Sequence, residues 1–346
     1  MRTEFLKACK GEKTDYTPIW IMRQAGRYLP EYHTVRSKGS FLDLCKNPER
    51  AAEVTLQPVD IIGVDAAILF SDILVPLEKM GCPLEFHEKR GPVFPEPIRT
   101  QAAVDALRIP DAEGDLGYVM DTIRILRKEL VNKVPLIGFS GAPFTLATYL
   151  IEGGSSKNYL LTKRMMYENP ALYGQLMDKI TDCTIAYLKG QVVAGAQALQ
   201  IFDSWVGVLA PCDFRDFAYP YVKRIIDALK AVTDIPLIYF ANHGATLLPQ
   251  TKHCGADVLG FDWRIGLDDV VRQVGQTVSI QGNLEPLCLF LPEDKLAARV
   301  RMVLEEAKGA RGHIFNLGHG IVPEADPAKA KLLVKLVHEI SREMRG

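Results

Sequence analysis

A single-domain α/β protein of the (β/α)8 or TIM-barrel class is the architecture predicted for residues 1–346, and three observations carry it. Short apolar runs recur along the chain, each closing on small or polar residues. Most of them are separated by longer stretches in which apolar residues fall at helical spacing and charges occupy the other face. The runs also lack the apolar/polar alternation of a half-exposed strand, which suits strands buried on both faces of a parallel sheet.

In chain order the candidate strands are PIWIM (18–22), AAILF (66–70), PLIGF (135–139) and ALQIF (198–202), followed by PLIYF (236–240), DVLGF (257–261), VSIQG (278–282) and HIFNL (313–317). Candidate helices between them include VMDTIRILRKEL, LMDKITDCTIAYLKGQVVAG, DFAYPYVKRIIDALKAV and PEDKLAARVRMVLEEAKG, and PAKAKLLVKLVHEISREM closes the chain. Eight strands favour a closed barrel over the alternative, an open doubly wound sheet. Neither G-x-G-x-x-G nor a P-loop accompanies that alternative. Two segments stand outside the repeat: residues 1–16 form a short N-terminal extension, and residues 76–100, with Pro-rich edges, read as an inserted β-hairpin after the second strand. No short-period repeat, low-complexity tract or linker divides the chain.

Composition excludes several classes of function. With 48% hydrophobic and 24% charged residues and a formal net charge of -1, the chain carries no global field for nucleic acid or an anionic membrane. Seven scattered cysteines without a C-x-x-C pair read as reduced, mostly buried thiols. The N-terminus has no apolar segment before its charges resume, so the expected location is cytoplasmic. Val134–Ile151 is uncharged over the length of a membrane span, but Pro135, Gly138, Gly141 and Pro143 make a buried strand, a turn and a helix start the better reading.

A parallel barrel builds its site at the C-terminal ends of its strands. The residues standing there are Arg23; Ser71 and Asp72; Ser140; Asp203 and Ser204; Asn242 and His243; Asp262; Asn283; and Gly318 and His319. Asp203, Asp262 and Asn283 suit helix or loop caps as well as substrate contacts. Asn242 and His243 read as a turn and a cap before GATLLP. His319, between glycines in NLGHG, reads as functional, because glycine lets backbone approach a ligand closely. No lysine directly follows a strand, and H-E-x-x-H, zinc-spaced Cys/His sets and G-x-S-x-G are all missing.

The first strand runs straight into RQAGR. Arg23 and Arg27 flank Gly26, Arg36 follows nine residues on, and only Glu31 intervenes as an acid. A solvated basic loop is the plain reading of such a stretch. At a barrel mouth, however, three guanidiniums with paired N–H donors imply a polyanionic carboxylate or phosphate ligand. Gly26 is expected to supply the turn that aims Arg23 and Arg27 together.

PIWIMRQAGRYLPEY and GFSGAPFTLATYLIEGG closely resemble the two signature segments of the uroporphyrinogen decarboxylase family, and AAILFSDIL, LQIFDSW and NLGHG extend the resemblance over nearly the whole chain. The resemblance implies a (β/α)8 barrel, usually a homodimer with facing clefts. It also implies a cofactor-free and metal-free carboxy-lyase that removes carbon dioxide from the four acetates of uroporphyrinogen III to give coproporphyrinogen III in haem biosynthesis. Matched by position, the binding segment falls on Arg23, Gln24, Ala25, Gly26, Arg27 and Arg36. The essential carboxylate, which accepts pyrrole N–H groups and stabilises the transition state, falls on Asp72; the tyrosine falls on Tyr149, the serine on Ser204 and the histidine on His319. Arg23 is also a candidate acid, a role that requires strong desolvation, since arginine holds its proton near neutrality; His319 and a water on Tyr149 are alternatives. Trp205 departs from members that carry histidine there.

Three rival readings keep the barrel. Zinc-dependent corrinoid methyltransferases of the same superfamily carry a His-x-Cys pair after the fifth strand, where this chain has YFANHG. A non-catalytic tetrapyrrole-binding protein would keep the arginines but has no need of Asp72. A phosphosugar enzyme using QGN and NLGHG as a phosphate cradle leaves MRQAGR without a role.

Overall fold

The computed structural model of the protein describes residues 3–87 and 91–345. Nine strands are present among them: β1 (Ala67–Ile68), β2 (Glu85–His87), β3 (Gly91–Val93), β4 (Leu136–Gly141) and β5 (Ala198–Asp203), then β6 (Leu237–Ala241), β7 (Val258–Gly260), β8 (Ser279–Gln281) and β9 (His313–Ile314). Seven of them form one sheet in the order β1-β4-β5-β6-β7-β8-β9, every pair parallel. Helices fill the connections, as parallel neighbours require.

The expected first strand, residues 18–22, differs. It makes a single parallel bridge, Ile19 to Phe315, instead of a ladder. Pro18 has no N–H to give, and side chains take the donors that a neighbouring strand would have received. The Ile19 N–H donates to Asp65 Oδ2 (2.9 Å), the Ile21 N–H to Gln24 Oε1 (3.0 Å) and the Met22 N–H to Asn316 Oδ1 (2.9 Å). The segment still touches both edges of the sheet. Phe315 beyond β9 donates its N–H to Pro18 O (2.8 Å), and Asp65 before β1 donates its N–H to Ile19 O (2.8 Å), so the sheet curls until both edges meet one segment.

Trp20, Ile19 and Ile21 are fully buried, and Trp20 Nε1 donates to Gln281 Oε1 (2.9 Å) on β8, which fixes the segment against the sheet. Asp65 is also fully buried and, besides Ile19, accepts the Tyr16 hydroxyl (3.1 Å) and faces His338 Nε2 (2.6 Å) on the last helix, Pro327–Glu343. A buried carboxylate needs such partners. In the N-terminal extension the helix Glu4–Lys10 lies at the start of β8 and β9, where Gly312 meets the Ala8 carbonyl so closely that no side chain fits.

The inserted segment is a helix, Val75–Lys79, followed by the expected antiparallel hairpin of β2 and β3; its tip, residues 88–90, lies outside the described residues. The hairpin docks on the end of the helix Pro143–Glu152. The Phe94 N–H donates to Gly153 O (3.0 Å), and Val93 pairs with Gly154. Val134–Ile151 folds as the strand, turn and helix expected of it, and no helix among the described residues is long and apolar enough to cross a membrane.

Candidate active site

The mouth loop starts with a tight turn. The Gln24 N–H donates to Ile21 O (2.8 Å), and Arg23 takes the left-handed conformation at φ 64°. Gly26, expected to carry the turn, keeps ordinary backbone; its role is room, since a Cβ there would stand 3.0 Å from the Arg23 carbonyl. A left-handed residue with a side chain costs about 1–2 kcal/mol, and buried Gln24 offsets it by clamping the loop. Its Oε1 accepts the Ile21 N–H, and its Nε2 donates to Ala66 O (3.0 Å) at the start of β1. The Gln24 amide is therefore committed to backbone and does not face the mouth.

Arg23 and Arg27 are exposed and Arg36 is half-buried. Arg36 ends the helix Pro30–Arg36, where its guanidinium donates to Gly39 O. Arg27 offers its carbonyl to the ring of His33 (2.8 Å), which pins the backbone and leaves the guanidinium directed elsewhere. The Arg27 and Arg36 charges both act on the Tyr32 phenol, and those of Arg36 and Asp72 on the buried Cys45 thiol.

Asp72 follows β1. Its Oδ1 accepts the Leu74 N–H (2.9 Å), a turn that holds the carboxylate upright at the strand end, and no other hydrogen bond among the described residues takes its Oδ2. Burial pushes its carboxyl above the ordinary value, against the opposing pull of the Leu74 N–H and the Arg23 charge. Tyr149, on Pro143–Glu152, stands within reach of Asp72 and Arg23. Burial raises its phenol, the Asp72 charge adds to this, and Trp205, Arg23 and Ser155 oppose it. Its ring lies 6.1 Å from that of Trp205, which fills the departure noted after Ser204 with an aromatic wall. Ser204 is half-buried, and its carbonyl accepts from Asn242 Nδ2 (3.1 Å).

His319 lies between two close approaches. Gly320 rests on the aliphatic stem of Arg23 and Gly318 on Trp263, with no space for a Cβ at either. Burial first, then the charges of Arg23 and other neighbours, push the His319 imidazole down to about 4, so it is neutral near pH 7. An aromatic row crosses β4, β5 and β6 of the sheet: Phe139 packs edge-on to Phe202 (5.7 Å), and Phe202 to Phe240 (6.3 Å).

The other strand-end residues fall to structural work. Fully buried Asp203 accepts Thr145 Oγ1 (2.7 Å) and the Tyr239 hydroxyl (2.8 Å); burial raises it to about 6, with those two bonds opposing. Asn283 donates to the carbonyls of Asp262 (2.9 Å) and Ile265 (2.7 Å), and Ser140 is fully buried. Asp262 accepts the N–H of Arg264 (2.8 Å) in its own loop and that of His243 (2.5 Å) in the loop after β6, tying the two loops together. Among the described residues no group of three or more His, Cys, Asp or Glu side chains could hold a metal ion.

A carboxylate with one open oxygen, an arginine loop and a neutral histidine thus stand together at the strand ends, as the family resemblance places them. The family model for uroporphyrinogen decarboxylase (URO-D) matches residues 1–340. The chain belongs to the uroporphyrinogen decarboxylase family. It is 61% identical over 341 residues to the uroporphyrinogen decarboxylase of Desulfotalea psychrophila, covering 99% of each protein. It is 54% identical over 343 residues to that of Geotalea uraniireducens and 53% identical over 343 residues to that of Geobacter metallireducens, covering 99% of this chain and 100% of either relative. Among solved structures, a methyltransferase from Methanosarcina mazei superposes with a TM-score of 0.81 at 22% identity over 98% of both chains, and shows the fold alone.

Within this uroporphyrinogen decarboxylase family member, the strand-end census passed over two mouth residues. Trp263 and Arg264 follow Asp262 directly, and the Arg264 guanidinium stacks 4.0 Å from the centre of the Trp263 ring. The signal was position: they stand one and two residues past the acid that closes the sixth candidate strand.

Proposed function

We propose that this chain acts as a uroporphyrinogen decarboxylase, converting uroporphyrinogen III to coproporphyrinogen III with the residues gathered at the mouth. The observation that carries the reading is Asp72: a carboxylate with Oδ2 open, held by the Leu74 N–H, in a site where the Arg23 charge acts on it. A porphyrinogen presents four central pyrrole N–H donors and eight peripheral carboxylates. Asp72 accepts the former, and Arg23, Arg27 and Arg36 grip the latter. The aromatic row of Phe139, Phe202 and Phe240 supports the apolar macrocycle.

The reaction needs a proton and an electron sink, and the substrate supplies the sink. A proton added to the pyrrole carbon beside the acetate-bearing one makes an iminium-like ring. The electrons of the bond to the carboxylate then flow into that ring and carbon dioxide leaves. A second proton turns the exocyclic methylene into a methyl group, and the ring proton departs. One proton replaces one carbon dioxide, so the chemistry calls for no metal or organic cofactor. Asp72 stabilises the positive charge that develops on the ring, which is selective for the transition state. Arg23 is exposed, and this favours carboxylate binding over the acid role, which needs desolvation. Neutral His319 and the protonated Tyr149 phenol hydrogen-bond the substrate, and a water on Tyr149 delivers the proton. Ser204 contacts the substrate edge; Gln24, Ala25 and Gly26 contribute through backbone and loop shape.

The same reading takes the molecule as one closed (β/α)8 barrel domain, 1–346. Contacts of residues 18–22 with both β9 and β1 support closure, and a single continuous hydrophobic core supports one domain. It takes the protein as a cytoplasmic homodimer without nucleic-acid or membrane partners. Exposed Leu287 and Phe290, on the turn that follows the C-terminal end of β8, suit a partner that covers the mouth side. Purified protein incubated with uroporphyrinogen III under anaerobic conditions is expected to yield hepta- to tetracarboxylate products; none from folded protein would leave the tetrapyrrole-binding reading.

A further inference from the structure

Two arginines flank His319. The turn 318–320 rests against the Arg23 stem on one side and Trp263 on the other, so close that a Cβ on Gly318 would stand 2.6 Å from the Trp263 nitrogen. Arg264 extends that second side. Its backbone N–H donates to Asp262 Oδ1 (2.8 Å), its Nη1 reaches the same oxygen at 3.3 Å, and its guanidinium lies on the indole of Trp263. Asp262 is buried, and its other oxygen is already committed to the His243 N–H. Backbone donors therefore fix the loop without help from the guanidinium. One long hydrogen bond and one stacking contact preorganise that group while most of its donors stay open, and the side chain is 41% exposed.

We propose that Arg264 is a further substrate-binding residue, which grips a propionate carboxylate of the porphyrinogen on the side of His319 away from Arg23. The inference rests on the proposed function. Arg23 holds the acetate that reacts, on the ring whose developing charge Asp72 stabilises, so a receptor beyond His319 faces a different side chain. That receptor must work at all four decarboxylations. By the last one a single acetate remains and it occupies the reacting position, so the group that Arg264 holds throughout has to be a propionate. The positive charges of Arg23 and Arg264 both help to keep His319 neutral, in keeping with a histidine set between two cations.

The test compares Arg264→Gln and Arg264→Lys with the unsubstituted protein, using uroporphyrinogen III as substrate and coproporphyrinogen III, which keeps only propionates, as competitor. Losing one charge-assisted contact raises KM and the competition constant together by about tenfold or more. The kcat is unchanged, because the contact is equally present in ground and transition states. Arg264→Lys recovers part of the loss. Unchanged KM and competition constant in folded Arg264→Gln overturn the assignment, and a rise in KM without a rise in the competition constant overturns the propionate. Absence of turnover by the unsubstituted protein strikes the proposed function itself, whereas intact turnover with unaltered Arg264→Gln strikes this inference alone.

Discussion

At the scale of single residues, the roles divide by what each side chain is already bonded to. Asp72, Asp203 and Asp262 all stand at strand ends, but Asp203 has both oxygens committed to Thr145 and Tyr239, and Asp262 has both committed to backbone N–H groups, of His243 in the loop after β6 and of Arg264 in its own. Asp72 alone of the three keeps an oxygen open, a difference no residue type announces. The sequence pointed to Arg23 and His319 because unusual chemistry stood between glycines. It misplaced the turn, which falls on Arg23 itself, because one of the two hydrogen bonds by which the Gln24 amide holds that conformation is donated to the Ala66 carbonyl, distant in the chain.

Two histidines, His313 and His319, are held at about 4 by burial, against an ordinary 6.5. Between those values the unfolded chain binds protons that the folded chain refuses, so stability is complete above about pH 6.5 and falls as pH drops toward 4. Urea midpoints measured across that window are expected to decline on acidification. They should decline less in His319→Gln, and a parallel decline in both proteins would contradict the assignment of His319.

At the scale of elements, seven of eight predicted strands were legible from unalternated apolar runs, with ends shifted by up to three residues. The exception, residues 18–22, has the right composition but a ladder made largely by the side chains of Asp65, Gln24 and Asn316. A local pattern cannot reveal such long-range partners. The hairpin was legible from its Pro-rich edges; its role was not, since the backbone contacts of Phe94, Val93 and Ile98 with Gly153, Gly154 and Leu150 that tie it to the helix carrying Tyr149 are long-range. The N-terminal helix is a second case, fitted against Gly312 where a methyl group would meet the Ala8 carbonyl. Gly312→Ala is expected to lower stability by about 1–3 kcal/mol through overpacking, read from the urea midpoint, while kcat per folded molecule is retained because the mouth lies at the opposite ends of the strands. Loss of kcat at unchanged stability would show that this contact reaches the site.

At the scale of the whole molecule, a net charge of -1 hides a local arrangement of opposite sense. The curled parallel sheet brings the end of β1, the loop before it, the helix after β4 and the turn after β9 to one mouth. The Arg23 charge thereby acts on the ionisation of Asp72, Tyr149 and His319, all far from it in sequence, and the Asp72 charge acts on that of Tyr149. Their convergence was foreseeable from the rule that barrel sites gather at strand C-termini, and the family resemblance named the same positions. What neither could supply was the order of groups around the mouth, with His319 clamped between Arg23 and Trp263.

The measurement closest to the centre is the rate of carbon dioxide release from uroporphyrinogen III by Asp72→Asn beside the unsubstituted protein, with both confirmed folded by circular dichroism. The substitution keeps the shape and removes the charge that stabilises the developing cation, so the rate should fall by about 10²- to 10³-fold or more. Near-normal release by folded Asp72→Asn would contradict the role given to this carboxylate, and with it the mechanism.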